Sequence, residues 1–122
     1  IILGHMGEAL PYLLWRIDSR FKIYRPKVEL ERLPSDYIRR NFFATTAGTC
    51  QAEALVCAMQ ALGADRIMFS VDYPLEDSAE AARFIEAAPI SEQEREMICW
   101  RNAARLLQLS APPGSAATPA RR

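Results

Sequence analysis

The chain has 122 residues, half of them hydrophobic and a quarter charged, and its 15 basic and 15 acidic side chains cancel to a formal net charge of zero. That length and balance describe one globular domain with room for a single core and argue against non-specific nucleic-acid binding through a cationic face. No apolar run approaches the roughly 18 residues that a membrane span needs. The charge is uneven: residues 16–40 carry eight basic groups against four acidic, whereas 41–120 carry five against ten. Cys50, Cys57 and Cys99 show no metal-type pair spacing and cannot all pair within one chain, which predicts reduced thiols in a soluble, cytoplasmic protein. No basic segment leads into an apolar stretch, so we expect no secretory leader. The chain opens on Ile1-Ile2-Leu3, already inside an apolar run, and we expect it to be a piece of a longer protein.

In chain order, Ile1-Ile2-Leu3-Gly4-His5 reads as the end of a buried, parallel-type strand. Leu10, Leu13, Leu14, Ile17 and Phe21 recur at helical spacing with Pro11 in the first turn, which predicts a helix over about 10–21. Residues 22–40, broken by Pro26 and Pro34, predict a long loop with one short helix near 35–40. A second strand follows over Asn41–Thr46, closed by Ala47-Gly48. Ala52, Leu55, Val56, Met59 and Leu62 mark a helix that Gly63 ends with a left-handed cap. Arg66–Asp72 reads as a third strand stopped by Tyr73-Pro74. Asp77 with Glu80, and Ser91 with Glu94, fit capping boxes for two closing helices, the second running through Met97, Trp100, Ala104 and Leu107. From residue 110 the Ala-, Pro- and Ser-rich chain predicts a disordered tail, so the folded unit is 1–109.

Strand–helix alternation of this kind implies parallel strands with covering helices, in an open doubly wound sheet or a closed eight-fold barrel. In both, ligands bind at the carboxyl ends of the strands. Here those ends carry His5, then Thr45 and Thr46, then Ser70 and Asp72. His5, the only histidine, suits either a satisfied structural group or a group facing a shallow cleft. Glu8 suits a helix-dipole partner, or a carboxylate that orients His5 and raises its pKa. Asp72 at a buried strand terminus needs a cation, a donor or a metal, as a salt bridge, a helix cap, a metal ligand or a proton carrier. His5 and Asp72 alone cannot supply the three protein ligands of a catalytic zinc-type site. On the first helix, Arg16 and Asp18 suit ties to neighbouring elements or to a subunit interface. No phosphate-binding glycine loop and no Gly-x-Ser-x-Gly elbow occur.

The ordered set Gly4-His5-Met6-Gly7-Glu8-Ala9-Leu10-Pro11-Tyr12, Trp15-Arg16-Ile17-Asp18, Thr45-Thr46-Ala47-Gly48, Gly63 to Pro74 and Asn102-Ala103-Ala104-Arg105-Leu106-Leu107 resembles the amidohydrolase-related metal-dependent decarboxylases. These include the γ-resorcylate, 2,3-dihydroxybenzoate and 5-carboxyvanillate decarboxylases, and the resemblance covers roughly 1–109. It implies an α/β fold that is the C-terminal part, strands six to eight with their helices, of a TIM (β/α)8 barrel. It also implies a longer protein that removes carboxylate without redox change from a small aromatic, phenolic acid. By position, Asp72 would bind a divalent metal (zinc or manganese, or else magnesium) and carry a proton to the ring. His5 would stand beside metal and substrate, supported by Glu8. The family's first-strand metal motif and fifth-strand metal histidine have no counterpart here, so the 122-residue chain alone is expected to be inactive. The zero net charge and the lack of a long apolar run predict no nucleic-acid or membrane partner, and strands too few to close a barrel predict a homo-oligomer. The alternatives are a metal-dependent lactone or amide hydrolase on the same scaffold and a truncated, non-catalytic domain that self-associates through its open sheet edges.

Overall fold

The computed structural model describes residues 1–24 and 26–110. All of the expected disordered tail except Ser110 lies outside the described residues. Three short strands, β1 (Ile2–Leu3), β2 (Phe43–Thr45) and β3 (Ile67–Met68), form a parallel sheet in the order β1-β2-β3. The helices are α1 (Leu10–Tyr24), α2 (Pro34–Asn41), α3 (Ala52–Leu62), α4 (Ser78–Ala87), α5 (Glu92–Glu96) and α6 (Asn102–Leu107). The strand order follows the chain without reversal among the described residues, as in consecutive strand–helix units of a parallel α/β fold.

Register and alternation decide which residues meet the helices. Leu3 pairs with Ala44 and Ala44 with Ile67, so this row shares one face of the sheet. Ala44 and Ile67 are fully buried with Leu55 and Ala58 of α3, Leu14 of α1, Ile85 of α4 and Ile98. Leu55 and Ile98 each contribute about 1.5–3 kcal/mol of hydrophobic burial. The other sheet face carries Ile2, Phe43, Thr45 and Met68. Asp18 ties α1 to α2: its carboxylate accepts from the Ser35 backbone N–H (2.9 Å) and hydroxyl (2.6 Å) at the start of α2. Of the two α1 residues expected to tie elements together, Asp18 does so. Arg39 continues the link by donating to Ser35 Oγ and to the carbonyl of Ala61 in α3.

The helix starting at Leu10, the short helix between Pro34 and Asn41, and the Ser91–Glu94 capping box all form as the sequence predicts. Asp77 accepts from the Glu80 N–H and starts α4. Other local features differ. Asn41 closes α2 instead of opening β2, which starts at Phe43, and α1 runs on to Tyr24. The Asp77–Glu80 pair forms only the cap and not the full box, and Ile1 and Ile2, expected in a buried strand, are exposed. The ladder of β3 covers only Ile67–Met68, because the Phe69 N–H turns to the Ile98 carbonyl (2.8 Å) and Ser70 is held by a side chain. Gly63 has φ +102° and ψ 141°, so it is a positive-φ residue but not a left-handed helical cap, and it leads straight into a 3₁₀ turn over Ala64–Arg66. The closing helix is also not uniform: a π-helical turn at Met97–Arg101 separates α5 from α6. Asn102, 2% exposed, follows that turn and donates to the carbonyls of Ala64 and Ile67, pinning the closing helix to the entry of β3. No described helix is long and apolar enough to cross a membrane.

Candidate active site

At the carboxyl end of β1 the chain does not pass directly into α1. His5–Gly7 form a 3₁₀ turn in which His5 (φ 50°) and Met6 (φ 56°) are left-handed, followed by Gly7 (φ 81°) and Glu8 (φ 54°). Met6 is 3% exposed and, with the buried Gly7, sits in the core between His5 and Glu8, which lie outward at the rim. Non-glycine residues occupy this region rarely, and such strain persists where surrounding contacts over-determine it, characteristically at functional sites. Asp72, beyond β3, has φ 80°, and its carbonyl accepts from the N–H groups of Leu75 and Glu76. Three of the strained residues are therefore the three singled out from the sequence.

The fold brings them together. His5 Nδ1 lies 2.7 Å from Glu8 Oε1, and His5 Nε2 lies 3.4 Å from Asp72 Oδ2. The imidazole thus stands between two carboxylates, close to one and at the limit of hydrogen bonding to the other. The Glu8 contact first, and the Asp72 contact second, raise the His5 pKa above its ordinary value of 6.5. Side-chain exposures of 46% for His5, 76% for Glu8 and 33% for Asp72 leave the group open to a ligand.

The other polar strand ends do different work. Thr46 is 2% exposed, and its hydroxyl donates to the Ser70 carbonyl (2.7 Å) and accepts from the Ser70 N–H (2.9 Å). Thr46 also donates its N–H to the Met68 carbonyl, Gly48 donates to Val71, and the His5 N–H reaches the Ala47 carbonyl. The turn over 46–48 therefore carries the connection between the His5 turn and the Asp72 segment where the regular ladder has stopped. Gly48 (φ +66°) was read from the sequence only as the close of the second strand and part of the Thr45-Thr46-Ala47-Gly48 run, and not as a residue of the site.

Among the described residues no three His, Cys, Asp or Glu side chains cluster to hold a metal. The site offers the part-exposed Asp72 carboxylate, and beside His5 that of Glu8, as hard oxygen ligands of the kind manganese, magnesium and zinc accept. With Nδ1 engaged by Glu8, the imidazole directs Nε2 toward that carboxylate.

The amidohydrolase family profile matches residues 1–109. The chain is 46% identical over 112 residues to the gamma-resorcylate decarboxylase of Polaromonas sp., covering 90% of this chain and 34% of that protein. Among solved structures, 5-carboxyvanillate decarboxylase from Sphingomonas paucimobilis superimposes with a TM-score of 0.84 at 40% identity, covering 90% of this chain and 34% of that one. Dihydroxybenzoic acid decarboxylase from Polaromonas sp., with bound manganese and the inhibitor 2-nitroresorcinol, gives a TM-score of 0.81 at 45% identity, covering 88% and 33%. The chain spans about a third of the length of the relatives it matches.

Proposed function

The chain belongs to the amidohydrolase family, and on that footing we propose that it supplies strands six to eight of a (β/α)8 barrel whose whole protein decarboxylates a hydroxybenzoate-type acid. The observation that carries this reading is the meeting of His5, Glu8 and Asp72 at the carboxyl ends of parallel strands. It occurs in a chain 46% identical to a gamma-resorcylate decarboxylase.

The reaction exchanges a carboxylate for a proton without redox change. Asp72, having taken a proton from the neighbouring His5 imidazolium, delivers it to the ring carbon that bears the carboxylate, an electron pair of the ring forming the new C–H bond. The bond from that carbon to the carboxylate then breaks, its electron pair restores the aromatic ring, and CO₂ leaves. His5, held by Glu8 in one tautomer, hydrogen-bonds the substrate beside Asp72 and fixes its orientation. Asp72 would also provide one donor to a divalent cation, for which manganese in the Polaromonas relative is the guide. Such an ion supplies Lewis-acid polarisation of the substrate's oxygens when bound.

The test is a chimera in which residues 1–109 replace the matching third of the Polaromonas gamma-resorcylate decarboxylase. With manganese it should release CO₂ from 2,6-dihydroxybenzoate, while the 122-residue chain alone should release none above a metal-free control. A folded, manganese-loaded chimera without decarboxylase activity would overturn the reading.

A further inference from the structure

We propose that Gly48 is a positioning residue that sets the spacing of His5 and Asp72, an inference that rests on reading those two as the reacting pair. A Cβ built on Gly48 would lie 2.6 Å from His5 Cδ2, 3.0 Å from His5 Nε2 and 3.1 Å from Asp72 Oδ2. One hydrogen atom of Gly48 therefore points between the imidazole and the carboxylate, and any side chain there enters the contact itself.

The backbone around this contact is held, so it is the part-exposed ends of the His5 and Asp72 side chains that must give way. The imidazole is anchored through Nδ1 to Glu8, and the His5 N–H is tied to the Ala47 carbonyl. The turn behind Gly48 is held by the buried Thr46 hydroxyl on Ser70, by Thr46 N–H on Met68 and by Gly48 N–H on Val71. An added methyl is therefore accommodated by separating Nε2 from Asp72 Oδ2. The φ of +66° would independently strain alanine, whereas asparagine tolerates that backbone better. Sterics and backbone strain thus predict opposite orders for the two substitutions.

His5 is the chain's only histidine, so its ring nitrogens give unique NMR signals. In the metal-free 122-residue chain, Gly48→Ala should move the ¹⁵N resonances of His5 toward those of an Asp72→Asn chain, and Gly48→Asn should move them at least as far. Gly63→Ala, at another positive-φ glycine whose nearest neighbour is Asp65, should leave them in place. Ring signals that stay at their wild-type positions in the Gly48 variants would overturn the proposal. Should Gly48→Ala fail to fold, Gly48→Asn decides on its own. In the chimera, both Gly48 variants should lose about 10²-fold in kcat with a smaller change in KM, the effect of displacing a reacting group by about an ångström. Wild-type kcat in either variant would equally contradict it. An inactive unsubstituted chimera would count against the decarboxylase reading instead, and the imidazole spectra would still judge Gly48.

Discussion

Asp72 Oδ2 lies 3.4 Å from His5 Nε2, although 67 residues separate the two in the chain. Their meeting depends on two strand ends being held through a third. The turn following β2 bonds the His5 backbone at Ala47 and the approach to Asp72 at Thr46 and Gly48.

Thr46 is the buried clamp in that turn, and its removal should be felt in stability and in catalysis. Thr46→Val keeps the shape but deprives the Ser70 N–H and carbonyl of their partner, at a cost of about 1–3 kcal/mol. Urea denaturation of the chain should show that loss, and the chimera should lose kcat alongside. Thr46→Ser, which keeps the hydroxyl, should recover most of both; a serine variant no better than valine would mean that the hydroxyl is not the clamp.

Asn102 pins the closing helix by donating one side-chain amide to two carbonyls, those of Ala64 and Ile67. Asn102→Leu should destabilise the chain by about 1–3 kcal/mol. Asn102→Asp should do no better at neutral pH, because an ionised carboxylate can only accept. Denaturation midpoints of the two variants check this, and an aspartate variant with wild-type stability would show that donation is unimportant there.

Much of this architecture was legible in the sequence, for identifiable physical reasons. The spacing of Leu10, Leu14, Ile17 and Phe21 marks one face of α1, and Ser91 with Glu94 caps α5 through local bonds. His5 and Asp72 could be read as polar groups at the ends of apolar runs. The end of β3 could not be read, because the apolar run Ile67-Met68-Phe69 continues past Met68, where the ladder stops and the Ile98 carbonyl and the Thr46 hydroxyl take over. The π-helical turn before Asn102 has no compositional mark. Nor do Met6 and Glu8 announce a left-handed backbone, which here accompanies a Met6 that sits in the core between His5 and Glu8 at the rim.

The Ser91–Glu94 capping box should give the chain a defined acid sensitivity. Hydrogen bonds from the Ser91 hydroxyl and backbone lower the Glu94 pKa below the ordinary value of 4.5. A lowered folded pKa means that its contribution to stability is present above about 4.5. That contribution is lost as the pH falls through the lower folded value. Ser91→Ala should cost about 1 kcal/mol near neutrality, and the gap to wild type should narrow on acidification. Thermal unfolding at pH 6 and pH 3 checks this; a gap that widens in acid would contradict it.

His5 responds in the opposite direction. Because its pKa is raised by Glu8 and then Asp72, the stabilisation from the imidazolium is fully present below about 6.5 and fades as the pH rises through the higher folded value. In the metal-free chain, NMR titration should place the His5 midpoint above 6.5, and Glu8→Gln should bring it down. A midpoint unmoved by Glu8→Gln would show that Glu8 does not hold the ring.

The division of labour between Asp72 and His5 is tested most directly by measuring manganese content and turnover together in the chimera. Removing one positioned acid–base group typically lowers the rate by about 10²–10⁴-fold, so Asp72→Asn and His5→Asn should both be severely slowed. Asp72→Asn should also lose bound manganese, since it replaces a carboxyl group that ligates when ionised and carries the proton when neutral, whereas His5→Asn should keep it. A His5→Asn protein that loses the metal, beside an Asp72→Asn protein that keeps both metal and near-normal turnover, would contradict the assignment.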